Sequence, residues 1–78
     1  MKMKLPIVSG EQVIKLLQKE GFSITRQKGS HVSLHKKLED GSIHLVVVPR
    51  KSEIKKGTLL SIMKQAGISR EEFIAKIR

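Results

Sequence analysis

The chain has 78 residues, which is room for one small domain over residues 1–78 and not for two. Sixteen basic against seven acidic side chains leave a net charge of +9, and a hydrophobic share of 38% with 29% charged residues excludes both a membrane-embedded and a disordered chain. Without cysteine there is no disulfide and no thiolate metal site. No apolar run approaches the ~18 residues of a membrane span, and the opening Met1-Lys2-Met3-Lys4 leads to Pro6 rather than to an apolar stretch, so a cytoplasmic location is expected.

The first helix is announced by Ser9, with Gln12 three residues on, a capping-box pattern flanked by Val8 and Val13 in staple positions. Val13, Leu16 and Leu17 make its apolar stripe, and Gly21 supplies a left-handed stop. From Phe22 the period becomes two. Phe22 and Ile24 alternate with Ser23 and Thr25 in a strand reaching about Lys28, Gly29-Ser30 turns the chain, and Val32 and Leu34 alternate with His31, Ser33 and His35. Glu39-Asp40-Gly41 is turn chemistry. Ser42–Val48 forms a third strand, expected to direct Ile43, Leu45 and Val47 to the same side as Val32 and Leu34, which leaves His31, His35 and His44 together on the other. Pro49, lacking an N–H, is expected to end the pairing.

After a basic loop, Gly57-Thr58 opens a second helix with Leu59, Ile62, Met63 and Ala66 on one face, closed by Gly67. Ser69 and Glu72 form another capping box before a short last helix carrying Phe73, Ile74 and Ile77 inward. The order α-β-β-β-α with a helical tail reads as a two-layer α+β domain. Its three-stranded antiparallel sheet has both long helices on one face and the other face open.

Charge is segregated along the chain. Between Gly21 and Leu38 no acid occurs, while Arg26, Lys28, Lys36 and Lys37 do, and Arg50, Lys51, Lys55 and Lys56 follow the third strand against Glu53 alone. Such a surface suits a polyphosphate chain, with Arg26, Lys28, Lys36, Arg50 and Lys51 as candidate phosphate contacts. Phe22 and Phe73 are too few to stack several bases.

Among titratable groups His31 stands apart, because it follows Gly29-Ser30 at the mouth of a tight turn. Glycine there adopts positive φ and leaves no Cβ in the way of a ligand, and turn amides can face an anion. Neighbouring cations disfavour the charged form of an imidazole and leave it available as a base. A base for the 2′-hydroxyl and cations for the charge developing on phosphorus are the parts of metal-free RNA cleavage. Zinc is disfavoured: His31 and His35 are separated by about 13 Å on a strand, four steps of ~3.3 Å, and no carboxylate lies close in sequence. Ser30 and His31 do not make a nucleophile–base pair, since adjacent strand residues point to opposite faces. No metal or other cofactor is expected.

Val8-Ser9-Gly10, Gly21-Phe22, Arg26-Gln27-Lys28-Gly29-Ser30-His31, Val47-Val48-Pro49 and Ile54-Lys55-Lys56-Gly57-Thr58-Leu59, in this order and spacing, resemble the HicA family of small toxins. The resemblance runs from about Val8 to Phe73. It implies a double-stranded-RNA-binding-like fold, an mRNA interferase activity and a HicB-type antitoxin as protein partner. It also carries the catalytic histidine onto His31, with Gly29 and Ser30 as its turn. Arg50-Lys51-Ser52 stands where many relatives have a histidine after the Val-Pro segment. The expected function is therefore that of a toxin endoribonuclease with His31 as general acid/base, covered by its antitoxin. The alternative is a non-catalytic module that reads A-form RNA through its lysines. A DNA-binding regulator fits less well, because no helix carries a run of base-reading polar residues.

Overall fold

The computed structural model describes residues 4–77, so Met1–Met3 of the opening basic segment lie outside it. Along the chain come α1 (Gly10–Lys19), β1 (Ser23–Lys28), β2 (His31–Lys37), β3 (Ile43–Pro49), α2 (Lys56–Ala66) and α3 (Arg70–Lys76). The strands form one antiparallel sheet in the order β1-β2-β3. Helices α1 and α2 pack on the same face of it. This is the two-layer α+β architecture with a short C-terminal helix that the chain order implies.

Local chemistry sets the helix ends. Ser9 and Ser69 each accept a hydrogen bond from the backbone N–H three residues on, and the side chains of Gln12 and Glu72 accept the serine N–H in return. Gly21 (φ 99°) and Gly67 (φ 70°) supply the left-handed stops, and Ile68 N–H donates back to the Met63 carbonyl at 3.0 Å. α2 begins one residue before Gly57-Thr58, with Lys55 at its N-cap and no side-chain cap.

Val13, Leu16 and Leu17 of α1, Val32 and Leu34 of β2, Leu59, Ile62 and Met63 of α2, and Phe73 of α3 form one buried core. Burying each such side chain stabilises the fold by about 1.5–3 kcal/mol. Lys76 donates to Glu20 at 2.7 Å and ties the last helix to the end of α1.

β3 enters the sheet in the phase opposite to the one expected. Val46 and Val48 are fully buried, while Ile43, Leu45 and Val47 are 61%, 58% and 41% exposed. The β2–β3 loop decides this. Leu38 N–H donates to the Ser42 carbonyl at 2.8 Å, closing a loop of Glu39, Asp40 and Gly41, with Gly41 at φ 89°. An odd number of loop residues pairs even-numbered positions with even-numbered ones, Val32 with Val48 and Leu34 with Val46. In the uninterrupted apolar run Leu45-Val46-Val47-Val48 the period of two carries no phase of its own. His44 accordingly lies on the helix-covered side, where a β-carbon on Gly67 would come within 2.8 Å of its Cε1.

β1 carries a bulge: Ile24 pairs with Leu34, but Arg26 pairs with Ser33, leaving Thr25 without a partner across the ladder. The Thr25 hydroxyl donates to the Ser33 carbonyl at 3.1 Å. Ile24 lies at the sheet edge and is 41% exposed.

Nor does Pro49 end the pairing. It sits opposite His31, and the next residue continues the ladder, Arg50 N–H donating to the Ser30 carbonyl at 2.6 Å. Bonding of Arg50 with Ser30 places Pro49 at a non-hydrogen-bonded position, where the missing N–H would point away from β2. Gly10 N–H in turn donates to the Lys51 carbonyl at 2.8 Å, holding the segment after β3 against the start of α1.

Two measurements check these contacts. A β-carbon on Gly10 would overlap the Pro49 carbonyl oxygen. Gly10→Ala should therefore lower the unfolding free energy by about 2 kcal/mol or more in urea titrations, although alanine is the better helix former. In the β2–β3 loop the Ser42 hydroxyl, donating at 2.6 Å, and then the Ser42 N–H hold the Asp40 carboxyl below the ordinary aspartate value. Because the folded value is the lower one, this contribution is present above the unfolded carboxyl's titration and is lost as pH falls through the folded one. Ser42→Ala should move the Asp40 titration upward in NMR-monitored pH series.

Candidate nucleic-acid interface

The hairpin Lys28-Gly29-Ser30-His31 is the centre of the site. Only the first of its two central residues has positive φ, Gly29 at 58°, the pattern of a II′ turn. Among the described residues nothing lies within 4 Å of where a Gly29 side chain would begin, so the turn backbone is open to a ligand. Arg26, Lys28, Gly29, Ser30, His31 and Ser33 line one shallow depression on the open face of the sheet.

The bulge is what assembles it. In a regular strand Arg26 and Lys28 would share the side of Ile24, which pairs with core residue Leu34 and faces the helices. The extra residue at Thr25 reverses the phase, so Arg26 stands beside Ser33 and Lys28 beside His31. Ser33 lines the depression although the motif reading passed over it. Its signal was the period of two from His31, which places it on the same face.

The structure brings together His31, Gly29, Ser30, Arg26 and Lys28, but not the other three cations expected with them. Lys36 pairs with His44 on the helix side, five residues along β2 from His31, and its Nζ lies 5.9 Å from the centroid of the Phe22 ring. Arg50 is adjacent to the turn through its backbone, yet its Nε lies 3.1 Å from Glu11 Oε1. That pairing follows from the sheet: Arg50 stands opposite Ser30, one step out of phase with His31 and Pro49, so its side chain emerges on the side of α1. Lys51 is exposed one residue further on and lines no part of the depression.

The histidines do not share a face. His31 and His35 project from the open side and His44 from the helix side, which corrects the expectation that all three lie together. His35 and His44 are half-buried, each with a buried Nδ1 that has no hydrogen-bond partner among the described residues, whereas His31 is exposed. An exposed imidazole with a guanidinium and an ammonium on the neighbouring strand can reach a polyanion and exchange protons with it. Neither of the other two has that setting.

Among the described residues no helix is long and apolar enough to cross a membrane. A search of curated proteins finds no match. Residues 10–68, from the start of α1 through the close of α2, match the family model described as the HicA toxin of bacterial toxin–antitoxin systems. That span contains the whole sheet, the Gly29-Ser30 turn and every residue of the depression. With three-quarters of its length matched and the fold's two long helices and hairpin site inside the match, the chain belongs to the HicA toxin family.

Proposed function

We propose that this toxin is an endoribonuclease that cleaves mRNA at the β1–β2 hairpin, with His31 as general acid/base and a HicB-type antitoxin as its inhibitor. The observation carrying the proposal is the pairing of Lys28 with His31 and of Arg26 with Ser33 on an uncovered sheet face. In the reaction the neutral imidazole of His31 accepts the proton of a ribose 2′-hydroxyl. The 2′-oxygen attacks the adjoining phosphorus, the bond to the 5′-oxygen breaks, and the leaving oxygen takes up a proton, which the imidazolium can return. The products are a 2′,3′-cyclic phosphate and a 5′-hydroxyl. No metal enters this scheme.

Arg26 and Lys28 stabilise the negative charge that grows on the non-bridging oxygens, Arg26 with a planar fork and Lys28 as a point charge. The open turn at Gly29 lets the phosphodiester backbone approach the strand. Lys51 continues the positive surface beyond the hairpin, and Arg50 joins it only by leaving Glu11. An antitoxin needs acidic groups of matching shape over the hairpin to keep RNA away.

His31→Ala should reduce RNA cleavage by at least about a hundredfold, the typical worth of a general acid/base, while the unfolding midpoint and RNA affinity stay near those of the parent. Intact RNA after prolonged incubation with the antitoxin-free parent chain would favour the non-catalytic binding module instead. Salt titration of binding to single-stranded RNA checks the electrostatics separately. Arg26→Ala and Lys28→Ala should each flatten the dependence of log affinity on log salt by about 0.7. Lys36→Ala, on the helix side, should leave that slope unchanged.

A further inference from the structure

The two edges of the sheet are built differently. The β1 edge carries a bulge at Thr25 and the cations Arg26 and Lys28, devices that keep a free edge from recruiting another strand. The β3 edge, Ile43-His44-Leu45-Val46-Val47-Val48-Pro49, has no bulge and no Lys, Arg, Asp or Glu.

Its unpaired groups can be assigned. The bonds Leu38 N–H to Ser42 and Arg50 N–H to Ser30 mark hydrogen-bonded positions at the two ends of the β2–β3 ladder. In the observed register the hydrogen-bonded pairs between them are Lys36–His44, Leu34–Val46 and Val32–Val48. The N–H and C=O groups of Ile43, Leu45 and Val47 therefore point away from β2. Among the described residues none of these groups bonds to a loop, a helix or a side chain. The same three residues carry exposed apolar side chains on the open face. Free backbone donors and acceptors and an apolar stripe thus coincide on one strand edge, which is the requirement for strand addition.

We propose that the β3 edge receives an extended segment of the antitoxin as a fourth strand, with apolar side chains over Ile43, Leu45 and Val47 and acidic ones toward the hairpin cations. Charge selects this occupant. A second copy would set +9 against +9, and RNA supplies neither the alternating backbone partners nor a surface suited to three aliphatic side chains. The existence of an antitoxin rests on family membership and not on the role given to His31. An added strand would lie two strand spacings, about 10 Å, from β2. Ile43, Leu45 and Val47, which dock the strand, are therefore not among the residues that line the depression, and docking at this edge can be uncoupled from cleavage.

The test titrates the full chain with the purified product of the reading frame adjacent to its own, comparing the parent with Ile43→Thr/Leu45→Thr and with Leu45→Pro. Threonine keeps the β preference while removing apolar surface, and proline is tolerated where an edge N–H faces outward. Each variant should bind at least about tenfold more weakly, since the apolar contacts and edge bonds removed are together worth more than that. Antitoxin-free RNA cleavage should equal the parent's. Amide exchange at Ile43, Leu45 and Val47 should be fast in the free chain and slow in the complex, with His44, Val46 and Val48 slow in both. If Leu45→Pro fails to fold, the threonine pair and the exchange pattern decide. The proposal is overturned if the parent does not bind that product, if both variants bind it undiminished, or if the three amides are already protected in a self-associated free chain. Loss of cleavage in a folded threonine variant would also overturn it, by assigning the stripe to RNA. A silent His31 would not touch it.

Discussion

One unpartnered residue in an edge strand decides which side chains meet at the β1–β2 hairpin. A β-strand distributes its side chains to two faces in strict alternation, so Phe22, buried against the helices, would commit Ile24, Arg26 and Lys28 to the covered side. A surplus residue at Thr25 breaks the alternation and sends the two cations to the face that carries His31 and Ser33. The Thr25 hydroxyl bonded to the Ser33 carbonyl helps hold the irregular stretch against β2. Without that break the imidazole would stand on an open sheet with Arg26 and Lys28 on the other side. The bulge also bends the edge, so the same residue serves to assemble the site and to close β1 to another strand.

A second constraint fixes the far side of the hairpin. The segment after β3 is clamped between two backbone bonds, Arg50 to the Ser30 carbonyl and Gly10 to the Lys51 carbonyl. Glycine is required at position 10 because the helix start abuts the Pro49 carbonyl and leaves no space for a β-carbon. The turn that presents His31 is thereby braced by the sheet on one side and, through Arg50 and Lys51, by the first helix. Placement of side chains on rigid elements limits how far they drift from one geometry. The net charge of +9 is larger than the site uses. Arg50 is engaged with Glu11 and Lys36 lies along Phe22, so the positive field extends beyond the groups in the depression. Such a field attracts polyanions over a distance set by ionic strength.

The sheet thus divides its open face. The hairpin end is polar and cationic and carries an exposed imidazole, whereas the β3 side is aliphatic and exposes backbone. These two chemistries suit different molecules, a phosphodiester chain for the first and a polypeptide for the second. A toxin that acts in the way proposed above has use for both.

Much of this was legible in the residues themselves. Helix starts at Ser9 and Ser69 and stops at Gly21 and Gly67 are local chemistry, settled within four or five residues, and the structure shows each of them. The helix stripes and the phase of β2 are equally local, since Val32 and Leu34 alternate with polar residues, and the Gly29-Ser30 turn leading to His31 needs no tertiary information. What one chain could not reveal was phase across strands. The apolar run Leu45–Val48 reads the same with either set of side chains inward, and only the three-residue loop closed by Leu38 and Ser42 chooses Val46 and Val48. Nor did any residue type mark Thr25 as surplus, because a bulge exists only relative to a partner strand. Sequence determined which groups could handle a phosphate. Register, a property of pairs of strands, decided that Arg26 and Lys28 stand with His31 while Lys36 and His44 do not.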